Sequence, residues 1–281
     1  MVGIISSSYY REPSGGKKGN KPSKETYHST KGFVLQDVVV ASLKEILKHE
    51  FIDCGYRLMT SYLNRDGYTI NHKKLYRIMK EEGLLKLDNR IDRSGSGRKF
   101  VKFRKVHTDR PLECLEMDIK MVWIPSVGKN AYLISVIDVH TRRILQDYFS
   151  FSIKQNKVIA FLSDLFLGLE YPKNVVIRSD NGSQFIANSV REYLGLIGVQ
   201  QEFTHVATPA ENAHIEAYHG ILKKEVFQRV DYRTFGEIEQ ILKRYVIFYN
   251  NTRLHGLLGR ITPIEKWNQD KHLILSNKLT A

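Results

Sequence analysis

Residues 177–224 read IRSDNGSQFIANSVREYLGLIGVQQEFTHVATPAENAHIEAYHGILKK, and this stretch decides the fold. Before Asp180 stands an apolar run, Val175-Val176-Ile177, with the composition of a buried strand. Directly after it, Asn181-Gly182 supplies a turn and Ser183-Gln184-Phe185 opens a helical pattern. The pattern continues as a helix to Gly198, a short strand over 199–204 and a long helix over 210–227. Upstream, Cys114, Glu116, Asp118 and Lys120 alternate with Leu115, Met117, Ile119 and Met121, as a strand requires. Residues 132–139 and 143–151 are two more β-prone runs, and 157–169 is an amphipathic helix. Strands first, then alternating helix and strand, predict an α/β fold whose mixed sheet is covered on both faces.

Three acids punctuate this pattern. Asp118 lies within a strand, Asp180 just past one, and Glu216 inside the long helix. Carboxylates are hard oxygen ligands, and those on neighbouring elements of one domain can share divalent cations. Taken singly, each has an ordinary alternative. Asp180 suits the cap of the helix after Ser183, and Glu216 suits an ion pair with Lys223, two helical turns on along the same face. Spacing alone says only that metal ligation is feasible.

Asp118, the run Ser179-Asp180-Asn181-Gly182-Ser183-Gln184-Phe185, and Glu211-Asn212-Ala213-His214-Ile215-Glu216 with Lys223 resemble the Asp-Asp-Glu core of bacterial insertion-sequence transposases. The likeness is to the integrase-like protein encoded by the second open reading frame of such elements, and it runs from Gly32 to Trp267. It implies a ribonuclease-H-like fold and metal-dependent 3′-end cleavage and strand transfer of DNA. It also implies two Mg2+ (or Mn2+) ions per active site, with Asp118 shared by both and Asp180 and Glu216 each completing one position. Glu211 competes for the third place, but the first turn of its helix favours any acid. Glu225 follows two lysines and reads as solvent-facing. In the family, the residue matched by Lys223 approaches DNA beside the scissile phosphate. Asn181, Gly182, Gln184, Asn212 and His214 read as shaping the site, with local turn and cap chemistry an equal reading for Asn181 and Gln184. Asp138 reads as structural. Glu116-Met117 depart from the family, many of whose members place a tryptophan and a small residue there. The alternative function is a decayed, inactive transposase that only binds DNA; the presence of all three acids and Lys223 argues against it.

Outward from the core (residues 112–232), the chain is basic. Residues 1–31, with Gly15-Gly16-Lys17-Lys18-Gly19, read as a flexible arm. Residues 32–86 read as a helix-turn-helix unit whose third helix is capped by Asn71. In that helix Leu75, Ile78 and Met79 share one face, while Lys73, Lys74 and Arg77 lie largely elsewhere as candidate DNA contacts; a merely solvated basic helix is the alternative. Residues 87–111 read as a basic linker in which Arg98, Lys99 and Arg104, set around Ser94-Gly95-Ser96-Gly97, are candidate phosphate contacts, with a merely solvated charge run as the alternative. Residues 233–281 are a helix and tail closing the catalytic domain, with Arg253, His255 and Arg260 as further candidate contacts.

Lys and Arg number 43 against 30 Asp and Glu, and a net charge of +13 favours a polyanionic partner such as nucleic acid, which the resemblance makes double-stranded DNA. No apolar run is long enough to span a bilayer, the start lacks a signal-peptide pattern, and two cysteines are too few for a disulfide framework or zinc knuckle. These features suit a reducing cytoplasm, and the resemblance implies a bacterial one, at the nucleoid. Synapsis of two DNA ends implies a homodimer or higher form, and the family implies an upstream-frame helix-turn-helix partner or a frameshift fusion to one.

Overall fold

The computed structural model describes residues 23–85, 106–205 and 209–274. Arg98, Lys99 and Arg104 and residues 1–22 of the expected arm lie outside the described residues. From Glu25 onward that arm is instead ordered structure. β1 (Glu25–His28) and β2 (Gly32–Leu35) form an antiparallel hairpin, with Gly32 at a φ of +69° in its turn. Thr26 and His28 point inward and Glu25 and Tyr27 outward, a period-two pattern too short to stand out against the basic residues around it.

Three helices follow: α1 (Gln36–Leu47), α2 (Tyr56–Arg65) and α3 (His72–Glu81). β3 (Tyr68–Thr69) joins the hairpin along β1. Asn71 caps α3 as its sequence implies, its side-chain oxygen accepting from the Lys74 N–H at 2.8 Å. Val39, Leu43, Met59, Leu63, Leu75, Ile78 and Met79 meet in the centre of this unit, fully buried.

The larger sheet is built on β4 (Cys114–Ile124), which pairs antiparallel with β5 (Lys129–Asp138); β5 in turn pairs antiparallel with β6 (Ile144–Ser150). After α4 (Gln155–Gly168), β7 (Val176–Ser179) returns parallel to β4. α5 (Ser183–Ile186) and α6 (Asn188–Leu196) lead to β8 (Gln200–Phe203), parallel to β7. The order is β6-β5-β4-β7-β8, the ribonuclease-H-like mixed sheet that the pattern and the resemblance predict. One face buries Met117, Ile134 and Val136 against Phe161, Leu165 and Val190 of α4 and α6. The other is covered by α7 (Ala213–Leu222), its single π-turn extension (Lys223–Phe227), and α8 (Phe235–Asn251). Capping boxes open both α8, through Thr234 and Glu237, and α9 (Pro263–Asp270), through Thr262 and Glu265.

The N-terminal helices dock on α8 through a continuous apolar core. The Phe51 ring stands perpendicular to Tyr245 at 5.3 Å and also contacts Phe248. Tyr62 Oη donates to Thr252 O and accepts from Leu254 N, and Arg65 grips Glu265 with both guanidinium nitrogens at 2.8 and 2.9 Å. Periodicity within each helix carries no trace of this docking, because it depends on which faces meet across elements far apart in the chain.

Candidate active site

Asp118 owes its position to where β7 stops. β4 pairs with β7 only over Cys114–Glu116, so from Asp118 onward one edge of β4 is open. Two clefts meet at that edge. The first, about 470 Å³, is lined by Asp118, Asp180, Gln184 and Ser152 together with Ile119, Met121, Tyr132 and Phe151. The second, about 460 Å³, is lined by Asp118, Lys120, Glu216, His219 and Lys223, again with Ile119 and Met121. Asp118 and its two strand neighbours are common to both, with Asp180 in one and Glu216 in the other.

Asp180 follows the last residue of β7, and its Oδ1 accepts from the Gly182 N–H at 3.0 Å. A Cβ at position 182 would come within 2.5 Å of Gln184 Nε2 and 3.0 Å of Asp180 Oδ1, so any larger residue there would displace one of these side chains. Asn181 ties the loop to the end of β8, donating to Thr204 O at 2.8 Å. Glu216 projects from α7 toward Asp118. Burial first, then the negative charges of Asp118 and Glu116, raise its carboxyl above the ordinary range. Lys120 is the counterpart: burial and the neighbouring Lys223 ammonium lower its pKa, with Asp118 opposing.

What holds α7 against the sheet is Glu116, which the sequence did not mark. It is fully buried, and its Oε2 accepts from the backbone N–H groups of His214 and Ile215 at 2.8 and 2.9 Å. His214 Nδ1 lies 2.6 Å from its other oxygen. A strand carboxylate thereby satisfies the free N–H groups of the helix that carries Glu216. Glu211 is committed elsewhere: both oxygens engage His205, whose backbone N–H donates at 2.9 Å. Asn212 donates to Met117 O at 3.3 Å, while its side-chain oxygen is buried without a partner among the described residues. His219, one turn beyond Glu216, is buried with Nδ1 3.2 Å from Asp118 Oδ2, and its Nε2 has no hydrogen-bond partner among the described residues.

The donor chemistry fits hard cations. Three carboxylates face one open strand edge, and the negative charges of Asp118 and Glu116 crowd Glu216. Among the described residues, no three acids, histidines or cysteines already stand close enough together to hold one ion. Asp118, Asp180 and Glu216 are thus gathered around two adjoining clefts rather than drawn to a point.

Family models of integrase core domains match residues 108–209 and 197–263, and an HTH-like domain model matches residues 36–90. The putative transposase InsK for insertion sequence element IS150 of Escherichia coli is 28% identical over 76% of this chain and 77% of its own. The transposase for insertion sequence element IS904 of Lactococcus lactis is 25% identical over 84% of this chain and 96% of its own. An insertion element IS407 protein of Burkholderia multivorans is 26% identical over 82% and 80%. The chain belongs to the integrase-core transposases of insertion sequences.

Elsewhere in the transposase, several basic residues have intramolecular duties. On α3, Lys73 is exposed, but Lys74 donates to Glu25 O on β1, and Arg77 reaches Ser23 O at 3.4 Å and Glu81 at 3.7 Å. The expectation that Glu225 faces solvent is wrong. It is buried, accepts from Tyr245 Oη at 2.9 Å and pairs with Arg253 at 3.0 Å. Tyr218, Leu222 and Glu225 follow i, i+4, i+7 spacing on the inward face, a signal present in the sequence. Arg253 therefore anchors the C-terminal segment to the helix bearing Glu216, and beside it buried His255 has its pKa lowered to about 3 by desolvation and the nearby Arg253 charge. Neither offers a free DNA contact, whereas Arg260 is exposed. Asp138 is structural, buried and accepting from Leu112 N and Thr141. No helix among the described residues is long and apolar enough to cross a membrane.

Proposed function

We propose that this transposase frees 3′-hydroxyl ends of its element and joins them to target DNA, with Asp118, Asp180 and Glu216 as ligands for two Mg2+ or Mn2+ ions. The observation that carries this reading is the placement of Asp118 on the open edge of β4, shared by a cleft with Asp180 and a cleft with Glu216. When bound, two such cations would neutralise charge at phosphorus and steady the attacking and leaving oxygens. The chain's own groups do the rest. Lys120 and Lys223 present ammonium groups to the phosphate on the Glu216 side. His219 fixes the rotamer of Asp118, and Glu116 fixes the start of α7. DNA reaches the site along a basic surface that includes Lys73 of the helix-turn-helix unit, and synapsis of two ends requires at least a dimer.

The test is a supercoiled plasmid incubated with the full chain, the element's ends and Mg2+ or Mn2+. Joined products support strand transfer. DNA retained by the protein with no cleaved or joined product at either metal overturns it in favour of a binding-only protein.

A further inference from the structure

We propose that the uncovered end of the sheet beside the Asp180 cleft is a stacking platform for a nucleobase left unpaired at a DNA end. The placement of the neighbouring phosphodiester rests on the function proposed above; the platform itself rests on the side chains. Ile119, Met121 and Trp123 occupy alternate positions of β4, on the sheet face that α4 covers only in part. Under α4 this face is dry, with Met117 and Ile134 fully buried. Beyond it, Met121 is 64% exposed, Trp123 53%, Phe151 44% and Tyr148 36%. By ladder parity Met121, Trp123 and Tyr148 share this face, and large apolar side chains left wet there are costly without a partner.

The cleft beside them, which Met121 and Phe151 line, supplies the argument for a base. Asp118, Asp180, Gln184 and Ser152 line it together with Ile119, Met121, Tyr132 and Phe151, and Tyr132 lies directly across the ladder from Met121. A phosphate alone would leave those apolar groups without a partner. A base has both an apolar π-face and a polar edge, and an unpaired base offers that face where a stacked duplex does not. Phe151 is held in place, its ring stacked 4.7 Å from Phe235. The surroundings suit a nucleic-acid backbone: Lys154 and Lys157 are exposed at the start of α4, with Lys157 Nζ 6.0 Å from the Tyr148 ring.

The experiment measures binding of the full chain to duplexes with a short unpaired tail that carries either bases or abasic sites. Tryptophan emission is read as the difference between the wild type and Trp123→Phe, since Trp267 is the other tryptophan. The base-bearing tail binds roughly tenfold more tightly than the abasic one and quenches Trp123. Trp123→Ala and Tyr148→Ala each remove most of that preference and leave blunt-duplex affinity unchanged. Equal binding of both tails with no quenching overturns the proposal. So does a shift from dimer to monomer on Trp123→Ser with tail preference intact, which assigns this face to a second copy of the chain. The readout involves no cleavage or joining. Base-selective binding by a chain that joins no DNA would remove the strand-transfer reading and leave the platform standing, and the reverse pairing of results would do the opposite.

Discussion

The two clefts that meet at Asp118 are nearly equal in size and share Ile119 and Met121, but differ in what else lines them. The Glu216 side is ionic, with two lysines, a buried histidine and a carboxyl whose pKa is pushed up by burial and neighbouring charge. The Asp180 side instead joins Asp118 and Asp180 to Gln184, Ser152 and the rings of Tyr132 and Phe151. The contrast follows from what flanks an unpaired strand edge, α7 on one side and the loop after β7 on the other. Asp118 and Lys120 point toward α7, while Ile119 and Met121 point to the face that α4 leaves partly bare. One strand end thereby offers charge to a phosphate on one side and an apolar surface on the other.

Removing the shared acid should erase the distinction altogether. Asp118→Ala, Asp180→Ala and Glu216→Ala should each reduce strand transfer by on the order of 10³-fold or more, because several kcal/mol of charge stabilisation at phosphorus would go. DNA affinity, measured by filter binding, should change by less than about threefold. Full joining activity in any one variant takes that residue out of the site.

Glu116→Ala attacks the ionic cleft from beneath. Two backbone N–H donors and His214 lose one buried partner, so urea denaturation should show a loss of about 3 kcal/mol or more. A change under about 1 kcal/mol would show that α7 is held by apolar packing alone. His219→Ala should raise the Mg2+ concentration for half-maximal joining by about 10- to 100-fold, the usual cost of removing a group that orients a ligating carboxylate. His219→Asn, which keeps an N–H donor, should recover most of it; identical Mg2+ dependence in the wild type and both variants would leave His219 a packing residue.

The smallest effects are expected from the cations. Lys120→Ala and Lys223→Ala should each lower affinity for duplex DNA several-fold at low salt and reduce the salt slope by about one. A mutant slope equal to that of the wild type would place those ammonium groups away from the backbone.

Much of this was legible from residues. The period-two run at Asp118 predicts β4, Asn71 predicts the cap of α3, and helical spacing sets Lys223 on the side of Glu216. Glu225 was legible too, since its spacing from Tyr218 and Leu222 places it inward; the adjacent lysines obscured that. Glu116 was not, because alternation names a face of a strand but not the depth at which another element covers it. The docking of the N-terminal helices on α8, and the hairpin of β1 and β2, depend on pairings between short or distant segments that leave no local pattern.

The central claim is tested most directly by diffraction from crystals of the transposase with a DNA end and Mn2+, recorded for anomalous scattering. Two peaks are predicted, one between the Asp118 and Asp180 carboxylates and one between Asp118 and Glu216. A DNA backbone lying in the clefts with no anomalous peak within reach of Asp118 would contradict the account.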